Sequence, residues 1–380
     1  MKIGIVGTGH TKFGKLEQNI EQLMLEAVNA ALKSAKASID QVDIIYIANL
    51  SSSFSHQCHL PAVLAANLGI NKEIVRVESA CASGGLAVKE AVLAIMSGQY
   101  KTALVVGVEK MSETPIDEVT SILASAASQT EIQHGATFPS LFALMAERHF
   151  YKYKSSETDL ARIAVKNHHN AFLNSLAHFH KEVTISDVLN SRPIASPLKL
   201  LDCSAVSDGA AAVLLCNEKN TAEFTKSPVY LIGIGHNTDS IGIYDRKDLT
   251  CIPSVSAAAK KAYAMSGFRP KDINVAELHD CFTIAELIEM EDLGFCDKGE
   301  AGKMIEKGET ALSGKLPVNP SGGLKAKGHP IGATGVSQIV EIVKQLKGEC
   351  DERQAKKADI GLCCNIGGSG ATAVVSILSR

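Results

Sequence analysis

The segment ESACASGG, residues 78–85, lies between a β-branched run that ends at Val77 and an apolar helical run over residues 86–96. Its cysteine, Cys81, has only small neighbours, so a substrate or another backbone segment can approach the sulfur closely. The N–H groups and the positive dipole end of the following helix would favour a thiolate here. Cys81 is therefore a candidate nucleophile, although a cysteine can equally serve as a small buried hydrophobic residue.

The order of strand-like and helix-like runs around this segment recurs in the second half of the chain. In the first half, a strand-like run at 43–50, the cysteine segment and its helix precede an apolar strand at 102–108. In the second half, a strand-like run at 273–278 and an apolar-striped helix at 336–346 precede a strand at 359–364. Two halves with the same order predict a duplicated α/β fold, in which chemistry collects where the loops at the strand ends converge.

Composition and pattern divide the chain into four parts. Residues 1–114 form an N-terminal half, and residues 205–228 form its return strand with a linker. Residues 229–380 form the C-terminal half. Residues 115–204 are richer in Ser, His, Lys and Glu, which predicts an inserted loop domain that covers one end of the core.

Composition excludes several classes of protein. The chain has 380 residues with 46% hydrophobic and 21% charged residues and a net charge of −3, so neither nucleic acid nor an anionic membrane surface is expected as a partner. No apolar run approaches the roughly 18 residues that a membrane span needs. The ten cysteines include no C-x-x-C pair, which argues against a disulfide framework and a zinc ribbon. A cytoplasmic protein with reduced thiols is expected.

Two motif-like patterns carry little weight. After Gly7 and Gly9, a dinucleotide-binding fingerprint needs a third glycine at position 12, but that residue is Lys12 and no helix opens there. Four histidines of the inserted segment do not share one helical face, so no metal site is predicted. They are His168, His169, His178 and His180.

The segment NPSGGLKAKGHPIGATG, residues 319–335, carries the strongest chemical signal of the second half. Its glycines and two prolines predict a tight irregular loop that ends at a helix N-terminus. His329 lies between Gly328 and Pro330, so its ring is held on a stiff backbone without bulky neighbours. We interpret His329 as a functional residue rather than a satisfied polar one.

Two further cysteine segments follow strands. In ELHDCF, residues 277–282, alternation puts His279 and Cys281 on one face, although a buried cysteine beside a capping aspartate is an alternative. In CCNIGGSG, residues 363–370, a strand end leads into a glycine turn. Consecutive strand residues point to opposite faces, so at most one of its two cysteines can face a given site.

Together and in this order, these segments resemble the thiolase family of acyl-CoA acyltransferases over essentially the whole chain. The resemblance implies an α/β thiolase fold, with duplicated βαβαβαββ halves in a five-layered αβαβα arrangement. Biosynthetic thiolases carry Asn-Glu-Ala-Phe where this chain has His-Asp-Cys-Phe at residues 279–282. The latter string is similar to that of sterol-carrier-protein-type thiolases and of related archaeal and bacterial acetyl-CoA C-acetyltransferases.

The resemblance implies acyl transfer between a cysteine and CoA, by thiolytic cleavage of a 3-ketoacyl-CoA or by Claisen condensation of two acyl-CoAs. Cys81 would be the nucleophile, His329 would take its proton, and His279 would donate a hydrogen bond to a carbonyl or enolate oxygen. Either Cys281 or Cys364 would exchange the α-proton, and the His-x-Cys arrangement favours Cys281 slightly.

The resemblance also implies a second oxyanion hole, made by the backbone N–H of Cys81 and one from the turn at Ile366 and Gly367. Acyl-CoA is expected as the substrate, with no permanently bound cofactor and no metal. No residue that contacts CoA is predicted, because Ala259 stands where biosynthetic thiolases carry a serine.

Family members are dimers or tetramers, so a homodimer or homotetramer is expected. The helix at 86–96 carries charge only at Lys89 and Glu90, which predicts burial on all sides. Related archaeal thiolases imply a possible complex with a zinc-bearing acyl-binding OB-fold protein. The alternatives are a ketoacyl-synthase-like condensing enzyme and a non-catalytic acyl-CoA-binding scaffold in a multienzyme complex.

Overall fold

Strands and helices alternate along the chain in the computed structural model, which describes residues 2–380. The strands are β1 (Ile3–His10), β2 (Ile44–Ala48), β3 (Glu73–Val77), β4 (Thr102–Glu109), β5 (Pro193–Ala195), β6 (Leu198–Lys199), β7 (Gly209–Asn217), β8 (Val229–Thr238), β9 (Val275–Glu277), β10 (Ile360–Gly367) and β11 (Thr372–Ser379). The α-helices are α1 (Ile20–Ala35), α2 (Ser52–Ser55), α3 (Leu60–Leu68), α4 (Ser83–Met96), α5 (Ile116–Ala124), α6 (Gln129–Gln133), α7 (Phe138–Tyr153), α8 (Glu157–Phe172), α9 (Ile185–Leu189), α10 (Pro253–Ser266), α11 (Thr283–Asp292), α12 (Ala301–Glu306) and α13 (Ile331–Lys347). Short 3-10 helices cover Ile39–Gln41, Leu200–Asp202, Glu218–Glu223, Ile243–Asp245, Pro270–Asp272 and Asp351–Arg353.

The sheet joins two halves of matching strand order. Its nine strands run β3-β2-β4-β7-β1-β8-β11-β10-β9, and the antiparallel pair β1–β8 is the junction, where Ile3 lies opposite Leu231. Outward from this junction, the first half continues β1, β7, β4, β2, and the second half continues β8, β11, β10, β9. In each half the first strand is followed by the last, the next-to-last and the second. This repetition confirms the duplicated fold expected from the sequence.

The helices form layers around the sheet. Helix α1 packs on β1 and β7 of the first half, and α10 packs on β8 and β11 of the second half. Helices α4 and α13 pack against each other and against strands of both halves, so they form a central layer between the two parts of the sheet. The order helix, sheet, helix, sheet, helix is the five-layered αβαβα arrangement.

The central helices approach each other at glycines. A Cβ atom at Gly84 would lie 2.8 Å from the backbone nitrogen of Gly335, and one at Gly335 would lie 2.3 Å from that of Gly85. Real Cβ atoms do not approach so closely, so only glycine permits this crossing. The crossing brings the segments that precede α4 and α13, with Cys81 and His329, to the same place.

The segment before α13 is more regular than its composition predicts. Residues Gly323–Lys327 form a π-helical turn rather than an irregular loop. The Asp280 carboxylate accepts hydrogen bonds from the backbone N–H groups of Leu324 at 2.7 Å and Lys325 at 3.2 Å. Gly322 and Gly323 supply the positive φ values, 103° and 61°, that the entry to this turn needs. The prediction missed this turn because its stabilising side chain lies in another segment.

Helix α4 is not buried on all sides, contrary to the sequence prediction. Its Leu93 and Met96 side chains are 46% and 39% exposed. The pattern of charges could not show this, because apolar residues on a helix do not reveal whether a neighbour covers them.

The inserted segment 115–204 contains α5 to α9 and the hairpin β5–β6. After it, the chain re-enters the sheet at β7, where the buried Asp208 carboxylate accepts backbone hydrogen bonds from Met111 at 2.7 Å and Ser112 at 2.8 Å. Asp208 thus ties the segment just before the insertion to the start of the return strand. The boundaries at 115, 205 and 229 stay a prediction.

Within residues 2–380, none of the helices combines the length and the apolar character that crossing a membrane requires.

Candidate active site

Three side chains from separate segments of the chain meet at one point. The sulfur of Cys81 and one ring nitrogen each of His279 and His329 all lie within 4.8 Å of one another. The two imidazole rings are 5.0 Å apart between centroids and meet edge to face at 89°. The cysteine comes from the first half and both histidines come from the second, so the site depends on both.

A tight turn presents Cys81 in front of α4. Ala80 adopts a left-handed conformation with φ of 49°, which few non-glycine residues do. The Ser83 hydroxyl accepts a hydrogen bond from the Ser79 N–H at 2.8 Å and donates one to the Ala80 carbonyl at 2.6 Å. This clamp holds the turn, so the position of the sulfur is determined before substrate binds.

Cys81 is a thiol rather than the thiolate expected from its place before a helix. Burial raises its pKa to about 12, and this effect outweighs the N–H groups of Gly368 and of Cys81 itself, which face the sulfur and lower the pKa. The Glu109 carboxylate raises the pKa further. Desolvation therefore exceeds the helix-end effect, and the sulfur needs a base to become nucleophilic.

His329 has the form that such a base requires. Its Nδ1 lies 2.7 Å from the Thr334 hydroxyl, which itself donates to the Pro330 carbonyl at 2.9 Å. Since that hydroxyl proton is already used, Thr334 accepts from His329, which places the ring proton on Nδ1 and leaves Nε2 unprotonated. Burial lowers the pKa of His329 to about 3, so the ring is neutral and can accept a proton.

His279 is held by hydrogen bonds on its ring and its backbone. Its backbone N–H donates to the Glu289 carboxyl group at 3.0 Å, and the amide nitrogen of Asn365 lies 3.0 Å from Nδ1. Burial lowers the pKa of His279 well below its ordinary value, and the neighbouring His329 lowers it further. The ring is therefore neutral.

The two candidate cysteines for α-proton exchange lie in different places. Cys281 lines the cavity that contains Cys81, and its backbone N–H donates to the His279 carbonyl at 2.8 Å. Burial, and next the Cys81 sulfur, raise the pKa of Cys281 well above its usual value. Cys364 is fully buried, lies beside Glu289 and is absent from the cavity wall.

The glycine turn after β10 contributes a different residue from those predicted. Ile366 and Gly367 belong to β10, pair with β11 and do not line the cavity. Gly368, with φ of 63°, lines the cavity, and its N–H faces the Cys81 sulfur. Gly368 is therefore the residue of this turn whose N–H faces Cys81, because the strand extends farther than the sequence pattern indicated, and the oxyanion role expected for Ile366 and Gly367 stays a prediction.

An apolar cavity of about 370 Å³ opens onto Cys81. Most of its wall comes from the inserted segment, with α5 and the start of α7 prominent. Its lining includes Met111, Ile116, Val119, Leu123, Phe138, Phe142, Leu200, Val206, Phe282 and Ile331. Such a wall suits an acyl or thioester-bearing chain. A chain bound in this cavity would exclude water from the reacting atoms.

Cys81, His279 and His329 are also the only group within residues 2–380 whose atoms are arranged closely enough to hold a metal ion. The Nδ1 atoms of both rings already have partners, Asn365 and Thr334. Only the Nε2 atoms remain for the centre of the site. The arrangement suits hydrogen bonding and proton transfer at the sulfur.

Sequence reasoning missed three residues of this site. Thr334 and Gly368 lie within segments that were singled out, and Asn365 follows Cys364 directly. Strand alternation puts Asn365 on the opposite face of the strand from Cys364. This alternation was the one sequence signal that could have indicated that Asn365 faces other groups than Cys364 does. The partner of Asn365 could not be deduced, because Cys81 is 284 positions away.

Family models match nearly the whole chain. The thiolase N-terminal domain model matches residues 3–219, and the model described as thiolase C-terminal domain-like matches residues 235–380.

Named relatives align with nearly the whole of this chain. An acetyl-CoA acetyltransferase of Methanothermobacter thermautotrophicus is 43% identical over 100% of this chain and 99% of that protein. The benzoylsuccinyl-CoA thiolase subunit BbsB of Thauera aromatica is 36% identical over 98% of this chain and 96% of that protein. Sterol carrier protein 2 of Bos taurus is 33% identical over 98% of this chain and 71% of that protein.

Solved structures share the fold. The Ltp2-ChsH2(DUF35) aldolase superposes with a TM-score of 0.88 at 28% identity, covering 100% of this chain and 98% of that chain. Human mitochondrial 3-ketoacyl-CoA thiolase superposes with a TM-score of 0.79 at 19% identity, covering 100% of this chain and 98% of that chain.

Proposed function

Because the chain belongs to the thiolase family, we propose that Cys81 carries an acetyl group between CoA thioesters, with His329 as its base and His279 as an oxyanion donor. The protein is an acyl-CoA C-acyltransferase that uses CoA and acyl-CoA as substrates and needs no permanently bound cofactor. The relatives named acetyl-CoA acetyltransferase support acetyl as the transferred group. The observation that carries the assignment of roles is the meeting of Cys81, His279 and His329 within 4.8 Å at the apolar cavity.

In the cleavage direction, His329 takes the Cys81 proton as the sulfur attacks the 3-keto carbon of a 3-ketoacyl-CoA. The tetrahedral oxyanion then accepts hydrogen bonds from the N–H groups of Cys81 and Gly368, which face the Cys81 sulfur. The carbon–carbon bond breaks, leaving an acyl-cysteine and the enolate of acetyl-CoA.

His279 and Cys281 would serve the enolate. His279 donates a hydrogen bond to the enolate oxygen, and the Cys281 thiol gives its proton to the α-carbon, after which it recovers a proton from His329. Burial keeps Cys281 protonated, which is the form this step requires. CoA then attacks the acyl-cysteine and its thiol proton returns to Cys81, and condensation reverses these steps. Cys281 is preferred to Cys364 because it lines the cavity.

The test is acetylation of the purified protein by radiolabelled acetyl-CoA, followed by peptide mass spectrometry. We expect one acetyl group on Cys81, and we expect Cys81→Ser to lose both this acetylation and the CoA-dependent cleavage of acetoacetyl-CoA. Cys58→Ser, at an exposed cysteine, is the matched control and should keep both activities. Acetylation elsewhere, or cleavage activity in Cys81→Ser, would contradict the proposal.

A homo-oligomer and a companion protein belong to the same proposal. Val75 on the edge strand β3 and Leu93 on α4 are 43% and 46% exposed, an apolar surface that a second copy could cover. The Ltp2-ChsH2(DUF35) aldolase is named for two components, which supports a companion protein for this chain, and the zinc-bearing OB-fold kind of companion stays a prediction. Sedimentation of the purified protein, alone and with such a companion, tests both, and the cytoplasmic location stays a prediction.

A further inference from the structure

The Asn365 side chain joins the nucleophile segment to His279. Its amide nitrogen lies 2.9 Å from the carbonyl oxygen of Cys81 and 3.0 Å from Nδ1 of His279. Its amide oxygen lies 3.0 Å from the backbone nitrogen of Gly85, in the first turn of α4. One buried amide therefore contacts the nucleophile residue, its helix and the second-half imidazole.

Two backbone groups determine which way this amide points. The Gly85 N–H can only donate, so the atom facing it must be the amide oxygen. The Cys81 carbonyl can only accept, so the atom facing it must be the amide nitrogen. A flipped amide would lose both hydrogen bonds at a site where Asn365 is only 2% exposed, and buried polar groups without partners are costly.

With the amide fixed, the tautomer of His279 follows. The Asn365 NH₂ group is a donor, so Nδ1 of His279 must accept and carries no proton. A neutral imidazole then has its proton on Nε2. Burial keeps His279 neutral, so the ring presents Nε2–H as a donor toward the centre of the site.

We propose that Asn365 is a positioning residue that holds His279 as the Nε2-protonated tautomer, so that His279 stabilises the enolate that forms when the carbon–carbon bond breaks. This inference rests on the proposed function. His329 has the opposite tautomer, because Thr334 accepts from its Nδ1. The site thus contains two neutral imidazoles with opposite roles, one accepting the Cys81 proton and the other donating to the substrate oxygen.

Asn365→Asp is the most informative variant, because aspartate has the same shape as asparagine but replaces the donor that faces Nδ1 of His279 with an acceptor. A carboxylate cannot donate, so it selects the Nδ1-protonated tautomer of His279 and turns the unprotonated Nε2 toward the enolate. We expect cleavage of acetoacetyl-CoA to fall about 10²- to 10⁴-fold at neutral pH. Part of the rate should return on acidification, when the imidazolium regains Nε2–H, and the unsubstituted enzyme should show no such rise.

Two measurements separate a tautomer role from a structural one. In protein labelled with ¹⁵N-histidine, the His279 signals, assigned with His279→Asn, should show protonated Nε2 in the unsubstituted protein and protonated Nδ1 in Asn365→Asp. In Asn365→Ala, cleavage of acetoacetyl-CoA should fall about 10²- to 10³-fold, while acetylation of Cys81 by acetyl-CoA falls by less than about tenfold. In a His279→Asn background, Asn365→Ala should lower the rate of acetoacetyl-CoA cleavage by a much smaller factor, since an amide donor has no tautomers.

Gln338→Ala is the matched control, because Gln338 is also a fully buried amide that donates to β10, at the Cys364 carbonyl 2.9 Å away. It should leave the His279 tautomer and the ratio of the two half-reactions unchanged. An unaltered tautomer in Asn365→Asp, or an equal fall of both half-reactions in Asn365→Ala, would overturn the proposal. Absence of Cys81 acetylation in the unsubstituted protein would instead refute the proposed function.

Discussion

Cys81 and the two imidazoles are neutral in the resting site because burial dominates the pKa of each group. Placement before a helix favours a thiolate, but the free energy needed to desolvate a charge in an apolar cavity exceeds the stabilisation that a helix N-terminus provides. In the proposed mechanism, reactivity at Cys81 therefore comes from proton transfer to His329 during the attack. A preformed ion pair is not required.

Alkylation of Cys81 should reveal this neutral resting state. Because only the thiolate reacts and the pKa is raised to about 12, its rate with iodoacetamide should rise about tenfold per pH unit from pH 7 to pH 10. Peptide mass spectrometry at short reaction times measures the rate, and Cys81→Ser reports the contribution of the other cysteines. A plateau near neutral pH would indicate a preformed thiolate and contradict the prediction.

Replacement of Cys281 and Cys364 by serine should have different effects. Cys281→Ser should keep acetylation of Cys81 but lower acetoacetyl-CoA cleavage about 10²- to 10⁴-fold, because the α-proton donor is lost. Cys364→Ser should lower cleavage by less than about tenfold, since its sulfur lies beside Glu289 and outside the cavity. Steady-state rates and the labelling assay measure both variants, and the reverse order of effects would assign the proton exchange to Cys364.

Helices α4 and α13 connect the two halves of the molecule at the point where the site forms. Their close crossing puts the turn before α4 and the loop before α13 together, so the helices determine the distance between Cys81 and His329. A sequence pattern predicted both helices, but α13 begins at Ile331 rather than near residue 336. The glycines of its first turn weaken the helical signal and are present because another helix packs there.

Gly335→Ala should therefore damage both stability and the site. The added Cβ would lie 2.3 Å from the Gly85 nitrogen and 2.3 Å from the Asn365 amide oxygen, so the helices must separate. We expect the free energy of unfolding to fall by about 1–3 kcal/mol, measured by urea denaturation, with a loss of activity in the folded fraction.

Gly302→Ala in α12 is the control for this prediction. There the three atoms nearest the added Cβ would all belong to the Asp159 side chain, the nearest at 3.1 Å, and a side chain can move more readily than backbone. We expect a change below about 1 kcal/mol, since alanine also favours helix. A Gly335→Ala protein as stable as the control would show that the crossing tolerates a side chain.

Both halves contribute to the apolar core around the central helices, because these helices pack against strands of each half and β1 pairs with β8. Neither half can bury its inner sheet face without the other. The insertion adds the cavity wall, so substrate binding also depends on contacts that span the two halves.

The two halves should accordingly unfold together. Buried thiols report each half, Cys216 in β7 and Cys363 in β10. The extent of labelling of both cysteines by a thiol reagent, measured against urea concentration, should have the same midpoint. Unfolding of either half exposes the shared central layer. Exposed Cys58 should react at all urea concentrations and serves as the control. Two separated midpoints would show that the halves are independent units.

Strong local patterns were enough to predict much of the fold. The strand predicted at 102–108 is β4 at Thr102–Glu109, whereas the run predicted at 273–278 is shortened to Val275–Glu277. The first is buried on both faces in the interior of the sheet, and the second is an edge strand that pairs with β10. Hydrophobic runs signal burial, but the length of a strand also depends on its neighbours.

The sequence by itself determined the duplicated order of strands and helices and the segments that carry Cys81, His279, Cys281 and His329, because periodicity and glycine-rich motifs are local properties. Only the tertiary structure decided that Gly368 faces the sulfur, that Cys281 lines the cavity and that Asn365 reaches His279. Those facts depend on burial and on hydrogen bonds between residues as many as 284 positions apart. A local sequence pattern does not predict which distant group will face a given atom. It also does not predict how far the folded chain will bury that atom from water.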